Sequence, residues 1–465
     1  MKITNAMNYY PRIIDKYLSE WAKSINHKPI LLRGARQVGK SSAIRQLGTQ
    51  FDNFIEINFE KYPNYKEIFK ENLDVHRIIS QISILIGEKI TDNNTLLFFD
   101  EIQECKEAIM SLRFFKEDRP NLHVIAAGSL LEFALADLPT FGVGRIHSMF
   151  MYPMTFDEFL LANNDTQLIE FRDKCNATNP LPEILKDRLI QLFRNYIIVG
   201  GMPEVVDKWV TEKNLLQCQE LQDDLLLGYE DDFSKYAKKA DPVLLRNVFR
   251  NCASQLSQKF VYSQVPGKYK TYEIKNALDL LTKAGLLTPV FRTAANGLPL
   301  GGEINEAYQK ILILDSGITL RLLKHDSNTY ESLISDILTS SPTELINKGP
   351  LSEMIAGNEL LRYRNPNVRH ELYYWTRQEK NSLAEIDYVI SHEGKIIPVE
   401  IKAATQGGMK SLWMFLDTKH LNRGIRCSLE NFGKIQYSGA LDLPGAETII
   451  CPLYAISQID RLLAD

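Results

Sequence analysis

The sequence predicts a multi-domain α/β protein, and three observations lead to this fold class. The chain has 465 residues, which corresponds to about three domains at roughly 100–200 residues each. Short apolar runs alternate with helical periodicity in its N-terminal third, as in a parallel sheet covered by helices. A glycine-rich loop directly follows the first of these runs.

Composition limits the classes of partner. Hydrophobic residues make up 45% and charged residues 24%, which is typical of globular domains, and the net charge of −4 gives no global attraction to nucleic acid. A DNA partner would therefore need a local basic patch. The six cysteines form no CxxC pair, so we expect no zinc site and no disulfide framework, and a reducing cytoplasm fits best. No apolar run approaches the ~18 residues that span a bilayer, so no membrane is expected as a partner.

The N-terminal part predicts the order of elements in the parallel sheet. A helix is expected over residues 12–24 because its apolar residues share one face, and a second over Val75 to Ile86. Strands are expected at Pro29–Leu32, Phe54–Phe59, Thr95–Phe99 and Leu122–Ala127.

Four domains are predicted from the changes of pattern along the chain. Strands stop after Phe159, and a mostly helical region follows; we place the core at 1–160 and a helical lid at 161–240. A helical stretch over Tyr272 to Leu287, with an Ala-Gly end at Ala284-Gly285, is followed by a hairpin-like run and suggests a winged helix-turn-helix domain over 241–340. A polar linker from Thr339 to Lys348 precedes a last domain, placed at 341–465.

The glycine-rich loop matches the spacing GxxxxGK[ST] in full. Its residues are Gly34, Ala35, Arg36, Gln37, Val38, Gly39, Lys40 and Ser41, with Ser42 following. The two glycines let backbone N–H groups point inward at phosphates, and the helix that begins at Lys40 adds its positive dipole end. Lys40 is expected to reach the β and γ phosphates and Ser41 to bind Mg²⁺, so the loop predicts a P-loop NTPase that binds ATP. A glycine turn that binds nothing is the alternative.

Two adjacent acids end the apolar strand from Thr95. Asp100 and Glu101 would be costly to desolvate side by side unless a cation lay there. We expect Asp100 to hold Mg²⁺ through water and Glu101 to orient and deprotonate the attacking water.

Three further residues are candidates for the same site. Ser129, after Gly128, could sense the γ-phosphate or position water, or it could cap a following helix. Arg145, after Gly144, could be an arginine finger, or it could be a plain surface residue. As a finger it could act in its own subunit or in a neighbouring one, and the second case would require a homo-oligomer. Arg113 and Arg119 are alternative candidates for the finger. Pro203, after Met202, could contact the adenine ring, or it could mark a helix-breaking turn.

A β-hairpin near the C-terminus predicts a second cluster of charged side chains. If its turn centres between Glu393 and Gly394, Asp387 lies opposite Glu400 on one face. Like charges so placed destabilise a sheet, and a divalent cation would remove that cost. Asp387 and Glu400 are thus candidate Mg²⁺ ligands, Lys402 a candidate to activate water, and Glu353 a further ligand from the preceding helix. The alternative is an exposed polar face with a salt bridge between Glu385 and Lys402.

Taken together, these motifs resemble a widespread bacterial and archaeal family of AAA-type ATPases whose C-terminal domain of unknown function is similar to PD-(D/E)xK nucleases. The matching segments are Leu31–Lys40, Leu96–Glu101, Gly128-Ser129, Gly144-Arg145, Tyr152–Phe159, Gly200–Glu204, Lys348-Gly349, Glu353, Tyr373–Trp375, Ala384–Asp387 and Pro398–Lys402.

The resemblance implies an ATPase core with a helical lid, a winged-helix domain and a restriction-endonuclease-like terminal domain. It also implies that Asp387, Glu400 and Lys402 correspond to the nuclease triad, with Glu353 as its helix acid. Two hypotheses follow. In the first, ATP hydrolysis is coupled to a DNA-directed terminal domain; in the second, the chain is a nucleotide-gated switch whose terminal domain cuts nothing.

Overall fold

The computed structural model describes residues 8–136, 144–236, 239–323, 334–339, 349–379, 382–402, 408–441 and 443–464. Most of the predicted linker, residues 340–348, lies outside these ranges, as do residues 142 and 143. The described chain forms two compact units. The first unit holds residues 1–154, 283–286 and 365–369, and the second holds 155–282, 287–364 and 370–465. The four-domain division remains a prediction.

The first unit is built on a parallel sheet of five strands. These are β1 (Ile30–Arg33), β2 (Asn53–Asn58), β3 (Thr95–Asp100), β4 (His123–Ala127) and β5 (His147–Phe150). Their order across the sheet is β2-β3-β4-β1-β5, and every pair is parallel. The predicted parallel sheet is confirmed, and β5 is an edge strand that the sequence pattern did not reveal.

Six α-helices accompany this sheet in the described part of the first unit. They are α1 (Ile13–Lys23), α2 (Lys40–Gly48), α3 (Glu67–Lys70), α4 (Val75–Ile86), α5 (Lys106–Asp118) and α6 (Leu131–Ala136). The central strands β1, β3 and β4 are mostly apolar and buried; Leu31, Leu97 and Val124 are each 0% exposed. Burial of each such side chain contributes on the order of 1.5–3 kcal/mol to the stability of the fold. The buried strands in turn hold the polar residues at their ends in place.

The second unit begins with a helical region. Its helices are α7 (Phe156–Ala162), α8 (Thr166–Arg172), α9 (Glu183–Val199), α10 (Pro203–Glu212), α11 (Leu215–Asp232), α12 (Pro242–Ser254), α13 (Thr271–Lys283, whose last residue belongs to the first unit) and α14 (Ser316–Leu323). The predicted helical character of residues 160–240 is confirmed. Helix α13 ends at Lys283, next to the predicted Ala-Gly end; Gly285 takes a left-handed conformation with φ of 76°, and strand β6 begins at Leu287.

An eight-stranded mixed sheet forms the rest of the second unit. Its strands are β6 (Leu287–Thr293), β7 (Ile304–Ile313), β8 (Leu372–Glu379), β9 (Ser382–His392), β10 (Lys395–Ile401), β11 (Arg423–Ser428), β12 (Gly433–Gln436) and β13 (Glu447–Pro452). Their order is β12-β13-β11-β10-β9-β8-β6-β7. Helices α15 (Gly349–Arg362), α16 (Lys410–Lys419) and α17 (Ile459–Ala464) belong to this unit, and residues 334–339 are also helical.

The β6–β7 hairpin, which the sequence pattern placed in a separate domain, is part of the same sheet. Strand β6 pairs antiparallel with β7 on one side and parallel with β8 on the other, with Val290 opposite both Lys310 and Leu372. Side chains of β7 can therefore reach the same sheet face as those of β9 and β10. Within the described ranges, no helix is both long enough and apolar enough to cross a bilayer.

Candidate functional sites

The glycine-rich loop connects β1 to α2 in the first unit. Gly34 has φ of 151° and Gly39 has φ of 97°, which side-chain-bearing residues rarely adopt. A Cβ atom on Gly34 would lie 2.1 Å from the carbonyl oxygen of Met151, so only glycine fits there. From α1's N-cap, Arg12 donates to the carbonyls of Val38 (2.9 Å) and Tyr152 (2.7 Å), which ties the loop to the chain after β5.

Lys40 and Ser41 lie at the start of α2 and face the ends of the strands. The Lys40 ammonium donates to the carbonyls of Gly34 (2.9 Å) and Ala35 (2.7 Å). Burial lowers the pKa of Lys40 to about 8, although Glu101 and Asp100 oppose this shift. The charged form therefore depends on nearby anions, and a bound triphosphate would favour it further.

Asp100, at the end of β3, is held by neighbours on two sides. It accepts hydrogen bonds from the Ser41 hydroxyl (2.9 Å) and from the Asn58 amide (2.9 Å). Asn58 ends β2 directly opposite Asp100 in the parallel register. Burial raises the pKa of Asp100, and the hydrogen bond from Ser41 opposes the shift. A buried carboxylate beside a hydroxyl, both oxygen donors, suits a small hard cation.

Glu101 follows in a left-handed conformation with φ of 49°, which is uncommon for a residue with a side chain. Its Oε2 accepts a hydrogen bond from the Gln103 amide at 2.6 Å and a longer one from the Ser129 hydroxyl at 3.5 Å. Ser129 comes from the end of β4, next to β3 in the sheet. The structure thus brings Glu101 and Ser129 together, and the strained backbone directs the carboxylate toward them.

Arg145 belongs to the first unit and Pro203 to the second. Arg145 is exposed and forms an ion pair with Glu117 at 3.0 Å, which agrees with the surface interpretation. Pro203 is the first residue of α10 in the second unit. The preceding glycines contact the buried Asp315: Gly201 N–H donates to it at 2.6 Å, and a Cβ on Gly200 would lie 2.3 Å from its Oδ1.

The C-terminal hairpin has the predicted register. Val399 pairs with Tyr388 and Pro398 with Val389, a register that sets Glu400 opposite Asp387. Glu400 is only 4% exposed, and Asp387 accepts a hydrogen bond from the Ile401 N–H at 2.7 Å. The alternative of an exposed polar face is therefore wrong at Glu400, whereas the Glu385 side chain is 45% exposed.

The ion pairs of this hairpin also differ from the predicted alternative, a salt bridge between Glu385 and Lys402. Lys402 pairs with Glu400 at 2.5 Å, whereas Glu385 pairs with Lys310 of β7, also at 2.5 Å. The same Lys310 ammonium contacts Glu353 at 2.7 Å. The salt bridge predicted between Glu385 and Lys402 is replaced because a buried lysine from outside the hairpin reaches Glu385.

Three carboxylates converge around Lys310. Oxygen atoms of Glu353, Glu385 and Asp387 lie within 4.8 Å of one another. Burial, followed by the charge of Asp387, raises the pKa of Glu353 to about 8 and that of Glu400 to about 7. Burial also raises the pKa of Asp387. Burial disfavours charge on Lys310, but Glu353 and Glu385 outweigh it and raise its pKa.

Sequence reasoning missed several side chains of these two sites. Asn58 could have been found, since it ends a strand that pairs with β3. Gln103 and Lys310 gave no signal, because their roles depend on a turn and on a sheet pairing between distant segments. Glu385 was noted only as a salt-bridge partner, and its place in the carboxylate cluster follows from α15 and β9 together.

Three parts of the chain match known families. Residues 26–160 match the family described as an AAA domain. Residues 190–329 and 348–453 match two families described as domains of unknown function, DUF8612 and DUF4143.

An uncharacterized protein of Haemophilus influenzae is 24% identical over 368 residues, which cover 74% of this chain and 78% of that protein. The solved structure of the Aeropyrum pernix ORC1 protein in complex with DNA is 10% identical. That match covers 69% of this chain and 94% of the other, with a TM-score of 0.28, which is too low to carry an argument. The match over residues 26–160 identifies this part of the chain as an AAA domain.

Proposed function

We propose that this AAA-type ATPase binds and hydrolyses ATP through the loop Gly34–Ser41 and couples nucleotide state to a DNA-directed C-terminal domain. One observation carries the ATPase assignment: the loop runs from a buried parallel strand into α2 and sets Ser41 Oγ 2.9 Å from Asp100. Phosphates at this place would meet backbone N–H groups, the start of a helix and an ammonium group together.

The residues around Asp100 fit a magnesium ion. Ser41 and Asp100 would hold it, and Asn58 would keep the Asp100 carboxylate oriented. A bound magnesium ion would supply positive charge beside the β and γ phosphates. Lys40 would exchange its contacts with the loop carbonyls for contacts with phosphate oxygens, which gain negative charge during transfer.

Glu101 is the proposed base for the attacking water. Its carboxylate is oriented by Gln103 at 2.6 Å, and Ser129 at 3.5 Å is placed to hold either this carboxylate or the water. Glu101 would accept a proton from water as the oxygen attacks the γ-phosphorus. Arg145 as an arginine finger and Pro203 as an adenine contact are weaker parts of the proposal. The surface ion pair of Arg145 favours a structural role for that residue. The contacts of Gly200 and Gly201 with Asp315 favour a structural role for the turn before Pro203.

DNA as a partner of the second unit is supported by a basic and aromatic face. Lys268, Lys270 and Lys275 are exposed around the start of α13. Lys270 lies over the ring of Tyr272, which is 64% exposed. Lysines neutralise phosphates and exposed rings stack on bases. In this proposal α13 and the β6–β7 hairpin form the winged helix, and β8–β13 the nuclease-like domain. A solvated surface or a protein-docking site is the alternative for the lysine face.

A non-cleaving C-terminal domain is the second candidate, and one observation favours it. The nuclease interpretation requires a divalent ion held by Glu353, Asp387 and Glu400. The Lys310 ammonium already contacts Glu353, one of these three residues, and also the neighbouring Glu385, so the arrangement does not fit a metal ion there. The domain would then transmit nucleotide state to a partner without cutting it.

ATP turnover by the wild-type chain and by Lys40→Ala tests the first part of the proposal. We expect measurable hydrolysis that the variant abolishes, together with nucleotide binding in a titration of the wild type. A folded wild-type chain that binds neither adenine nor guanine nucleotides would refute the assignment.

Nicking of supercoiled DNA separates the two candidates for the C-terminal domain. Metal-dependent nicking that is lost in Asp387→Ala would support cleavage. The absence of nicking with any divalent metal or nucleotide would support the non-cleaving module.

A further inference from the structure

Lys310 is placed inside the second unit in a way that is unusual for a lysine. It belongs to β7, is only 2% exposed, and points into the space between α15 and the sheet. Lysine is rarely buried to this degree unless its charge is compensated. Its ammonium is 2.7 Å from Glu353 Oε1 and 2.5 Å from Glu385 Oε1, and it lies 5.1 Å from the centre of the Tyr374 ring.

The carboxylates that Lys310 contacts are those that a metal ion would need. Oxygen atoms of Glu353, Glu385 and Asp387 converge within 4.8 Å, and two of these three groups already accept hydrogen bonds from the ammonium. A divalent cation would compete with the ammonium for these carboxylates, since it needs their oxygen atoms at roughly 2.0–2.6 Å. It would also lie next to the positive charge of Lys310, which is buried with Glu353, so the repulsion on that side of the cluster is weakly screened.

We propose that the Lys310 ammonium is the resident cation of this carboxylate cluster and that it excludes divalent metal ions from it. The cluster is then an ion-pair network that spans β7, α15 and β9, with Lys310 and Glu353 buried and the Glu385 side chain 45% exposed. This inference is independent of the ATPase assignment and goes beyond both candidates for the C-terminal domain. It identifies the residue that any metal-dependent chemistry at this site would have to displace.

Lys402, the other lysine near the cluster, cannot fill the same role. It follows the last residue of β10, its side chain is 27% exposed, and its contact is with Glu400. Such a side chain can turn toward water when a metal ion binds. The Lys310 side chain is 3% exposed and its strand is paired with β6, so it leaves the cluster only if the hairpin moves.

Titration of the full-length chain with Mn²⁺, without nucleotide, tests the proposal by calorimetry. Only binding that depends on Asp387 counts, which separates this cluster from the Asp100 site. The wild type and Asp387→Asn should bind Mn²⁺ identically. Lys310→Met should gain a site at least about tenfold tighter than any Asp387-dependent binding in the wild type, and Lys310→Met/Asp387→Asn should lose it.

Two results would overturn the proposal. One is Asp387-dependent Mn²⁺ binding in the wild-type chain, and the other is a folded Lys310→Met variant that gains no site. Lys310→Arg is the matched control, since it keeps the charge and should keep metal out. Should Lys310→Met not fold, the comparison of the wild type with Asp387→Asn still decides. Loss of ATP turnover has no bearing on either result.

Discussion

Gly128→Ala should slow ATP hydrolysis without weakening ATP binding, because it displaces the residue that orients Glu101. Gly128 follows β4 and is buried. An added Cβ would lie 1.9 Å from Gln103 Oε1, whereas ordinary van der Waals contact begins at 3.4 Å, so the amide must retreat by about 1.5 Å. The same amide donates to Glu101 Oε2 at 2.6 Å, and that contact cannot survive such a movement.

The expected loss is about 100-fold in kcat, since a misplacement of about 1 Å in a catalytic group can cost that factor. The ATP dissociation constant should change less than about twofold, because the Gly34–Ser41 loop is untouched. Stability should fall by only about 1 kcal/mol, since the atom displaced is the end of a flexible side chain. Steady-state turnover, nucleotide titration and thermal melting measure the three quantities.

Gln103→Ala provides the matched control for this prediction. It removes the clash and the hydrogen bond together, so it should be slow by itself, and adding Gly128→Ala should have no further effect. Wild-type turnover by Gly128→Ala would refute the reasoning. So would a double variant whose losses are additive, since Gln103 would then not transmit the effect to Glu101.

Three further outcomes are expected. Asp100→Asn should keep the hydrogen bond from Ser41 and relieve the cost of a buried charge, but its new NH2 group faces the Asn58 NH2 group and loses that hydrogen bond. These effects oppose each other, so melting without nucleotide should change little, whereas the rise in melting temperature that Mg²⁺ and ATP give the wild type should disappear. Glu359 accepts from the Tyr196 hydroxyl at 2.8 Å, and burial raises its pKa to about 7, so its protonated form favours folding. The stability that this group contributes is complete below the unfolded pKa near 4.5 and is lost as pH rises through about 7, a change on the order of 1–3 kcal/mol. Denaturant unfolding across this pH range should show a flatter stability profile for Glu359→Gln than for the wild type. An equal slope in both proteins would contradict this prediction. Asp315→Ala should destabilise the second unit by about 3 kcal/mol, because the Gly201 N–H and the start of α14 lose a buried acceptor; denaturant unfolding that shows less than about 1 kcal/mol would contradict this role.

The conformation of the glycine-rich loop and the position of the adjacent acids could be predicted because both patterns are local in sequence. Eight consecutive residues fix the spacing of Gly34, Gly39 and Lys40, and an apolar strand ending in Asp100 and Glu101 follows the rule that buried strands present polar residues at their ends. The hairpin register was equally accessible, since a side-chain period of two allows only one pairing that places all apolar residues on one face.

Tertiary structure alone decided which groups meet these local motifs. Lys310 and Glu385 are separated by more than seventy residues, and their ion pair exists because β6 joins β8 in parallel, a pairing that no local pattern specifies. Likewise, Gln103 reaches Glu101 only through the left-handed turn at Glu101. Sequence therefore determined the nucleotide-binding chemistry of this protein, because contiguous backbone supplies it. The partners of its buried charges depend on the packing of distant strands. Packing removes water from a charged side chain such as Lys310, so that the carboxylates beside it must compensate its charge.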